Sequence, residues 1–155
     1  MHLRKSKERA IKKIEMDGLS PSPQIDVKEF LRPLLFGLAE EDLDKLAQAA
    51  IVRSYPPGAV ICQEGEPGDA IYVIVHGRVE IVKRLDDKNE RYLHDTGPGE
   101  LLGEIAVLQE DVRTATVRTI EPTTILEIGR DPFLTVLGRS PSLGIRILVR
   151  LTARL

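Results

Sequence analysis

Between Gly97 and Thr116 the chain sets out, in order, a glycine-rich loop Gly97-Pro98-Gly99-Glu100-Leu101-Leu102-Gly103, a helix-forming run Glu104-Ile105-Ala106-Val107-Leu108, and a polar segment Arg113-Thr114-Ala115-Thr116 that heads into an apolar strand. A glycine-rich loop opening a helix points several backbone N–H groups one way, and with the helix dipole these attract an anion. Arg113, ten residues after Gly103, can hold a phosphate through two charge-assisted hydrogen bonds, and Thr114 adds a hydroxyl. Glu104 beside such a phosphate is repulsive unless its carboxylate accepts a hydrogen bond from a sugar hydroxyl while Arg113 or the helix start balances its charge. Phosphate donor, sugar acceptor and an apolar wall for a base together describe a nucleotide. Taken singly, Glu104 is equally an acid at a helix start and Arg113 equally a surface charge; their combination at this spacing carries the reading.

Other chemistries lack their residues. Only His2, His76 and His94 are present, with no paired spacing, so a metal-binding β-roll has too few ligands. There is no Ser/His/Asp order, Walker loop or paired catalytic carboxylate in a plausible setting, and Glu104 with Arg113 binds rather than reacts. The chain reads as a non-enzyme with no cofactor beyond its ligand. Cys62 is the only cysteine; it forms no internal disulfide and reads as a packing or surface residue.

The elements that must position these residues follow from hydrophobic period and turn chemistry. Leu3 to Met16 reads as a basic helix with a thin apolar stripe, followed by a linker at Gly18 to Pro23, so that residues 1–23 form an appendage. Asp26 with Glu29 has the spacing of a capping box and starts a short helix that Pro33 interrupts or ends. Glu40 to Ala49 forms another helix, buried through Leu43, Leu46 and Ala47, with acids in its first turn. From Ile51 the period becomes that of strands: Val52–Tyr55, Val60–Gln63, Ile71–Val75, Val79–Lys83, Arg91–Thr96, Ala115–Thr119 and Thr124–Ile128, separated by Gly and Pro turns. The loop from Gly97 runs straight into one helical turn after Gly103. Asp131–Leu137 makes a short helix, and Ser140-Pro141-Ser142 caps a final one in which Leu143, Ile147, Leu148 and Leu151 repeat at helical spacing. An antiparallel roll or barrel is the natural sum.

At 155 residues, 42% apolar and 30% charged, with no Trp and three each of Phe and Tyr, the chain has the composition of one soluble domain with an aliphatic core. No apolar run reaches the roughly 18 residues of a membrane span, and the basic start leads into no signal-like stretch, so a cytoplasmic location is expected. The net charge of −2 is uneven: residues 1–13 carry six Lys or Arg, and 139–155 carry four Arg and no acid. Such basic helices are more often solvated faces than nucleic-acid contacts.

The run Gly103-Glu104-Ile105-Ala106-Val107-Leu108, the spacer Gln109 to Val112, and Arg113-Thr114-Ala115-Thr116-Val117 resemble the phosphate-binding cassette of the cyclic-nucleotide-binding domain family. That family includes regulatory subunits of cAMP-dependent protein kinase, cGMP-dependent kinases, nucleotide-gated channels and bacterial catabolite activators. The resemblance runs from about Pro33-Leu34-Leu35-Phe36-Gly37-Leu38 to the final helix, with Pro57-Gly58, Glu64-Gly65, Gly68-Asp69, Tyr72 and Gly77 at the family's turn and strand motifs. It implies a mainly β fold with flanking helices: an antiparallel β-roll or jelly roll (a double-stranded β-helix) over about 51–129 within a domain spanning 24–155, preceded by an N-terminal helical bundle and followed by C-terminal lid helices at 131–155.

The resemblance further implies that the ligand is cAMP or cGMP, that Glu104 bonds the ribose 2′-hydroxyl, and that Arg113 pairs with the exocyclic phosphate oxygens. Backbone N–H groups near Gly103, Ala106 and Ala115 complete the cradle, with Ile105 and Thr114 also in the cassette. Val112 departs from the proline many members carry before the arginine. Thr114 stands where cGMP-dependent kinases hold the guanine amino group, yet the small-domain layout looks bacterial and favours cAMP. Arg146, Leu148, Arg150 and Leu151 are candidates for capping the base. The implied mechanism is a population shift relayed to the flanking helices and on to an unnamed effector protein. The alternatives are the sensor half of a transcription regulator, with DNA bound by residues outside this chain, and a ligand-free interaction module. The amphipathic final helix allows a homodimer.

Overall fold

In the computed structural model, residues 25–109 and 112–153 are described, with only the backbone for Ile105, Gln109 and residues 150–153. The expected helix at Leu3–Met16, the linker at Gly18–Pro23, and the side chains of Arg150 and Leu151 lie outside this description.

Helix α1 (Val27–Leu34) starts where Asp26, in extended conformation, accepts a hydrogen bond from the Glu29 backbone N–H at 3.2 Å. Pro33 stands one residue from the end of α1, and the Leu35 N–H donates to the Leu31 carbonyl at 2.9 Å to close the last turn, so the proline ends the helix without breaking it. Asp26→Ala should cost about 1 kcal/mol in urea unfolding, the usual worth of an N-cap side chain. Helix α2 (Glu40–Ala49) packs on α1 through Leu43, Leu46 and Ala47, the face expected from its period.

Eight strands form two four-stranded antiparallel sheets. Strands β1 (Ile51–Tyr55), β3 (Ala70–His76), β6 (Leu101–Leu102) and β8 (Thr123–Gly129) lie in the order β1-β8-β3-β6. Strands β2 (Val60–Cys62), β4 (Val79–Arg84), β5 (Glu90–Thr96) and β7 (Thr116–Thr119) lie in the order β2-β7-β4-β5. Every pairing in both sheets is antiparallel, which gives an antiparallel β-roll flanked by N- and C-terminal helices.

Strand β3 is buried on both faces, and the two-residue side-chain period divides it between two cores. Ile71 and Val73 join the helices, packing in one cluster with Leu31, Leu46, Phe133 and Val136. Tyr72 and Ile74 face between the sheets with Cys62, Val79, Ile81, Leu102, Val117 and Ile125. The helical cluster is completed by α4 (Arg130–Arg139) and α5 (Pro141–Ala153); Ser140 caps α5 by accepting from the Leu143 N–H at 3.4 Å.

Two expectations change. The glycine-rich stretch does not run uninterrupted into the helix: Leu101 and Leu102 pair with Val73 and Tyr72 as strand β6, and helix α3 (Glu104–Gln109) follows. On α5, Leu143 and Ile147 are buried but Leu148 is exposed beside Ile145 and Val149, so the buried stripe is narrower than the sequence period suggested. Among the described side chains, α5 meets the domain along one line, the Leu143–Ile147 row.

Candidate functional site

The site is built on the break between β6 and α3. Gly103 fills the single position between them with φ of +84°, where L side chains are strained. A methyl group there would overlap Arg113 Nη1 and sit 3.2 Å from the Ala70 carbonyl oxygen, so the position needs glycine for space as well as conformation. One turn on, Gly68 lets the chain pass against α3; a Cβ at Gly68 would collide with the methyl group of Ala106.

The arm after the helix is pinned to a neighbouring turn. The Arg113 N–H donates to the Glu66 carbonyl at 2.7 Å, the Gly65 N–H donates to the Arg113 carbonyl at 2.9 Å, and Pro67 and Val112 form a β-bridge. Thr116 Oγ1 accepts from the Glu64 N–H at 3.0 Å and from Gln63 Nε2 at 3.2 Å, while Lys83 Nζ donates to the Thr114 carbonyl at 3.0 Å. Residues 112–116 are thus fixed by backbone and side chain before any ligand is considered.

Both charged residues singled out in the sequence turn inward. Glu104 is 1% exposed and Arg113 is 4% exposed. The Arg113 guanidinium donates through Nη1 to the Gly103 carbonyl at 3.1 Å, and through Nη2 to the Ala70 carbonyl at 2.5 Å and the Tyr72 hydroxyl at 3.3 Å. Its Cζ lies 5.1 Å from the centre of the Tyr72 ring. Among the described residues, no carboxylate forms an ion pair with it, so a full positive charge is buried against neutral acceptors. Such a charge is costly unless a counter-charge arrives.

These groups line an open cavity. Its polar end is Gly103, Glu104, Arg113 and Thr114, and its apolar wall is Cys62, Ile81, Leu102, Ala106, Ala115 and Val117. Six of the seven residues expected from the sequence therefore meet at one cavity; the side chain of the seventh, Ile105, lies outside the described residues. Burial raises the Cys62 thiol pKa, and the Arg113 charge pulls it the other way. Burial likewise pushes the Tyr72 phenol from 10.0 up to about 12, again opposed by Arg113.

Sequence reasoning missed Tyr72 as the partner of Arg113, and Cys62 as cavity wall. Cys62 sits opposite Val117 in the β2–β7 pairing, so its face is set by a distant strand. Of the candidate lid residues, Arg146 and Leu148 do not line the cavity: Arg146 lies over the Phe36 ring at 5.8 Å, and Leu148 is exposed. Helix α5 is docked on the helical layer instead.

The Tyr72 shift has a pH consequence. A phenol with a raised folded-state pKa holds its proton more tightly when folded, so its contribution to stability is complete below about pH 10 and is lost as pH rises toward 12. Absorbance titration should find one of the three tyrosines ionising near pH 12, and urea midpoints should fall between about pH 10 and pH 12.

The family model described as "Cyclic nucleotide-binding domain" matches residues 52–140, which contain the whole cavity and both sheets except Ile51 at the start of β1. The chain belongs to that family. It is 34% identical over 123 residues to a cyclic AMP receptor protein of Thermus thermophilus, covering 79% of this chain and 57% of that one. The crystal structure of the Thermus thermophilus catabolite activator protein superposes with a TM-score of 0.69 at 34% identity, over 79% of this chain and 57% of that one. A cGMP-dependent protein kinase of Eimeria tenella is 35% identical over 113 residues, 72% of this chain and 11% of the kinase. This cyclic nucleotide-binding domain thus spans little more than half of the first relative and about a tenth of the second. Among the described residues no helix is long and apolar enough to cross a membrane.

Proposed function

We propose that the domain is a sensor for cAMP, in preference to cGMP, and that ligand binding is relayed through its flanking helices. The observation that carries this reading is the buried Arg113 guanidinium, held on neutral acceptors at the polar end of the cavity beside the start of α3 and the buried Glu104. A cyclic phosphate supplies the missing negative charge to Arg113, with the N–H groups at the start of α3 and near Ala115 as further donors. Glu104 accepts from the ribose 2′-hydroxyl, and the base lies along the wall of Ile81, Leu102, Ala106 and Val117. The cAMP preference draws on the name of the Thermus relative; Thr114, exposed at the rim, is the residue through which cGMP would compete.

Relay in this reading runs through β3, whose alternate side chains enter the cavity-side and helical cores. Ligand shifts the population toward arrangements in which α4 and α5 leave their present seat on α1 and α2. An effector protein then reads that change. The residues at 24–155 act as the sensing unit and 1–23 as its extension, and the exposed row Ile145, Leu148 and Val149 on α5 is the surface through which two copies would pair.

A second reading is the sensor half of a transcription regulator, with DNA bound by residues outside this chain. It is favoured by a CRP-like cAMP-activated global transcriptional regulator of Mycobacterium tuberculosis, 32% identical over 101 residues, 65% of this chain and 45% of that one.

Calorimetric titration with cAMP and cGMP, side by side, tests the first step. Tight binding of cAMP, weaker binding of cGMP, and loss of about tenfold or more in Glu104→Ala is the expected result. No heat with either nucleotide would replace the sensor with a ligand-free interaction module.

A further inference from the structure

We propose that Tyr72 is a positioning residue for the ligand phosphate, acting through Arg113. This inference rests on the cyclic-nucleotide reading above. A guanidinium grips a phosphate with two parallel N–H groups only when its plane is fixed, and an arginine side chain left to itself samples many rotamers. Here the plane is fixed by three groups: the carbonyls of Gly103 and Ala70, and Tyr72. Tyr72 is the only side chain among the described residues that bonds it.

The tyrosine holds the cation in two ways. Its hydroxyl accepts from Nη2 at 3.3 Å, and its ring lies beneath Cζ at 5.1 Å, where the negative face of the aromatic attracts the charge. The ring itself is immobilised. Tyr72 sits in the middle of β3, 6% exposed, between Glu127 of β8 and Leu102 of β6. Leu102 lines the cavity and precedes Gly103, so the strand that fixes the phenol also fixes the start of the phosphate loop. A neutral phenol orients the cation without cancelling its charge, which a carboxylate in the same place would do. The arrangement leaves the positive charge available to an anion.

Two variants separate the contributions. Tyr72→Phe keeps the ring and removes the hydroxyl, and should weaken cAMP binding about 3- to 10-fold; Tyr72→Leu removes both and should weaken it about 10- to 100-fold. A neutral methyl triester of the same cyclic phosphate should lose little affinity in either variant, because the residue acts on the charge. In a double-mutant cycle with Arg113→Lys, the Tyr72→Phe loss should largely vanish. In the ligand-free protein, the Arg113 guanidinium NMR signals should be separate in wild type and averaged in Tyr72→Leu. The Arg113 signal should also move with inorganic phosphate in wild type and less in both variants.

Equal losses for the charged and neutral ligands, additive behaviour with Arg113→Lys, or unchanged guanidinium signals in both variants would overturn the proposal. A wild-type chain whose Arg113 responds to inorganic phosphate but that takes neither nucleotide would overturn the nucleotide reading alone, and the phosphate series would then decide the role of Tyr72. No response to phosphate or nucleotide overturns both.

Discussion

Arg113→Ala is expected to weaken cyclic-nucleotide binding by about 100-fold or more while the chain still folds. Truncating one partner of a buried, hydrogen-bonded charge pair costs about 2 to 5 kcal/mol in binding, and tenfold in affinity is about 1.4 kcal/mol. The effect on folding is smaller because two terms oppose. The substitution takes the Arg113 donor away from the carbonyls of Ala70 and Gly103, the latter still accepting from the Val107 N–H at 3.4 Å, but it also removes a buried charge that forms no ion pair among the described residues. Calorimetry and urea unfolding on the same preparation give the two numbers together. Binding within a few-fold of wild type would mean that the phosphate site lies elsewhere, whatever the melting behaviour.

Gly103→Ala should remove both stability and binding, with a loss of about 2 to 4 kcal/mol in urea unfolding. Left-handed backbone costs a residue with a Cβ about 1 to 2 kcal/mol, and overpacking adds about 1 to 3 kcal/mol. The methyl group would also displace Arg113 Nη1, so cAMP affinity should fall by about as much as in Arg113→Ala. Gly138 gives the control. It lies near the end of α4 with nothing within 4 Å of an added Cβ, and Gly138→Ala should stabilise by up to about 1 kcal/mol. Equal behaviour of the two variants would remove the special role given to position 103.

The parts of the site that were legible in the sequence are those whose placement is local. Gly103, Glu104 and Arg113 are held by one loop, one short helix and one arm, and their order along the chain already states their chemistry. What the local order does not show is the pairing of Arg113 with the distant Glu66 and Gly65, which fixes the arm as it enters the cavity. Tyr72 and Cys62 were opaque for the same reason. Each meets the site only through strands paired across tens of residues, and a one-residue change of register would send either to the other face.

The helices divide in the same way. The face of α2 was readable because Leu43, Leu46 and Ala47 stand at i, i+3 and i+4. Strand β6 was not, because two residues have no period to read. On α5 the repeat of Leu143, Ile147 and Leu148 is real in the sequence, yet the neighbours of the helix decide how much of that stripe is covered. Arg146 follows suit: sequence offers it to the base, while packing seats it on Phe36, itself 76% exposed.

The contact of Gly68 with Ala106 bears on how α3 can move. With no side chain at 68, the methyl group of Ala106 rests directly against main chain, and a Cβ at 68 would fall 2.3 Å from it. Helix α3 therefore has no spare space on the side of Gly68, and a displacement of Ala106 toward that turn meets main chain at once.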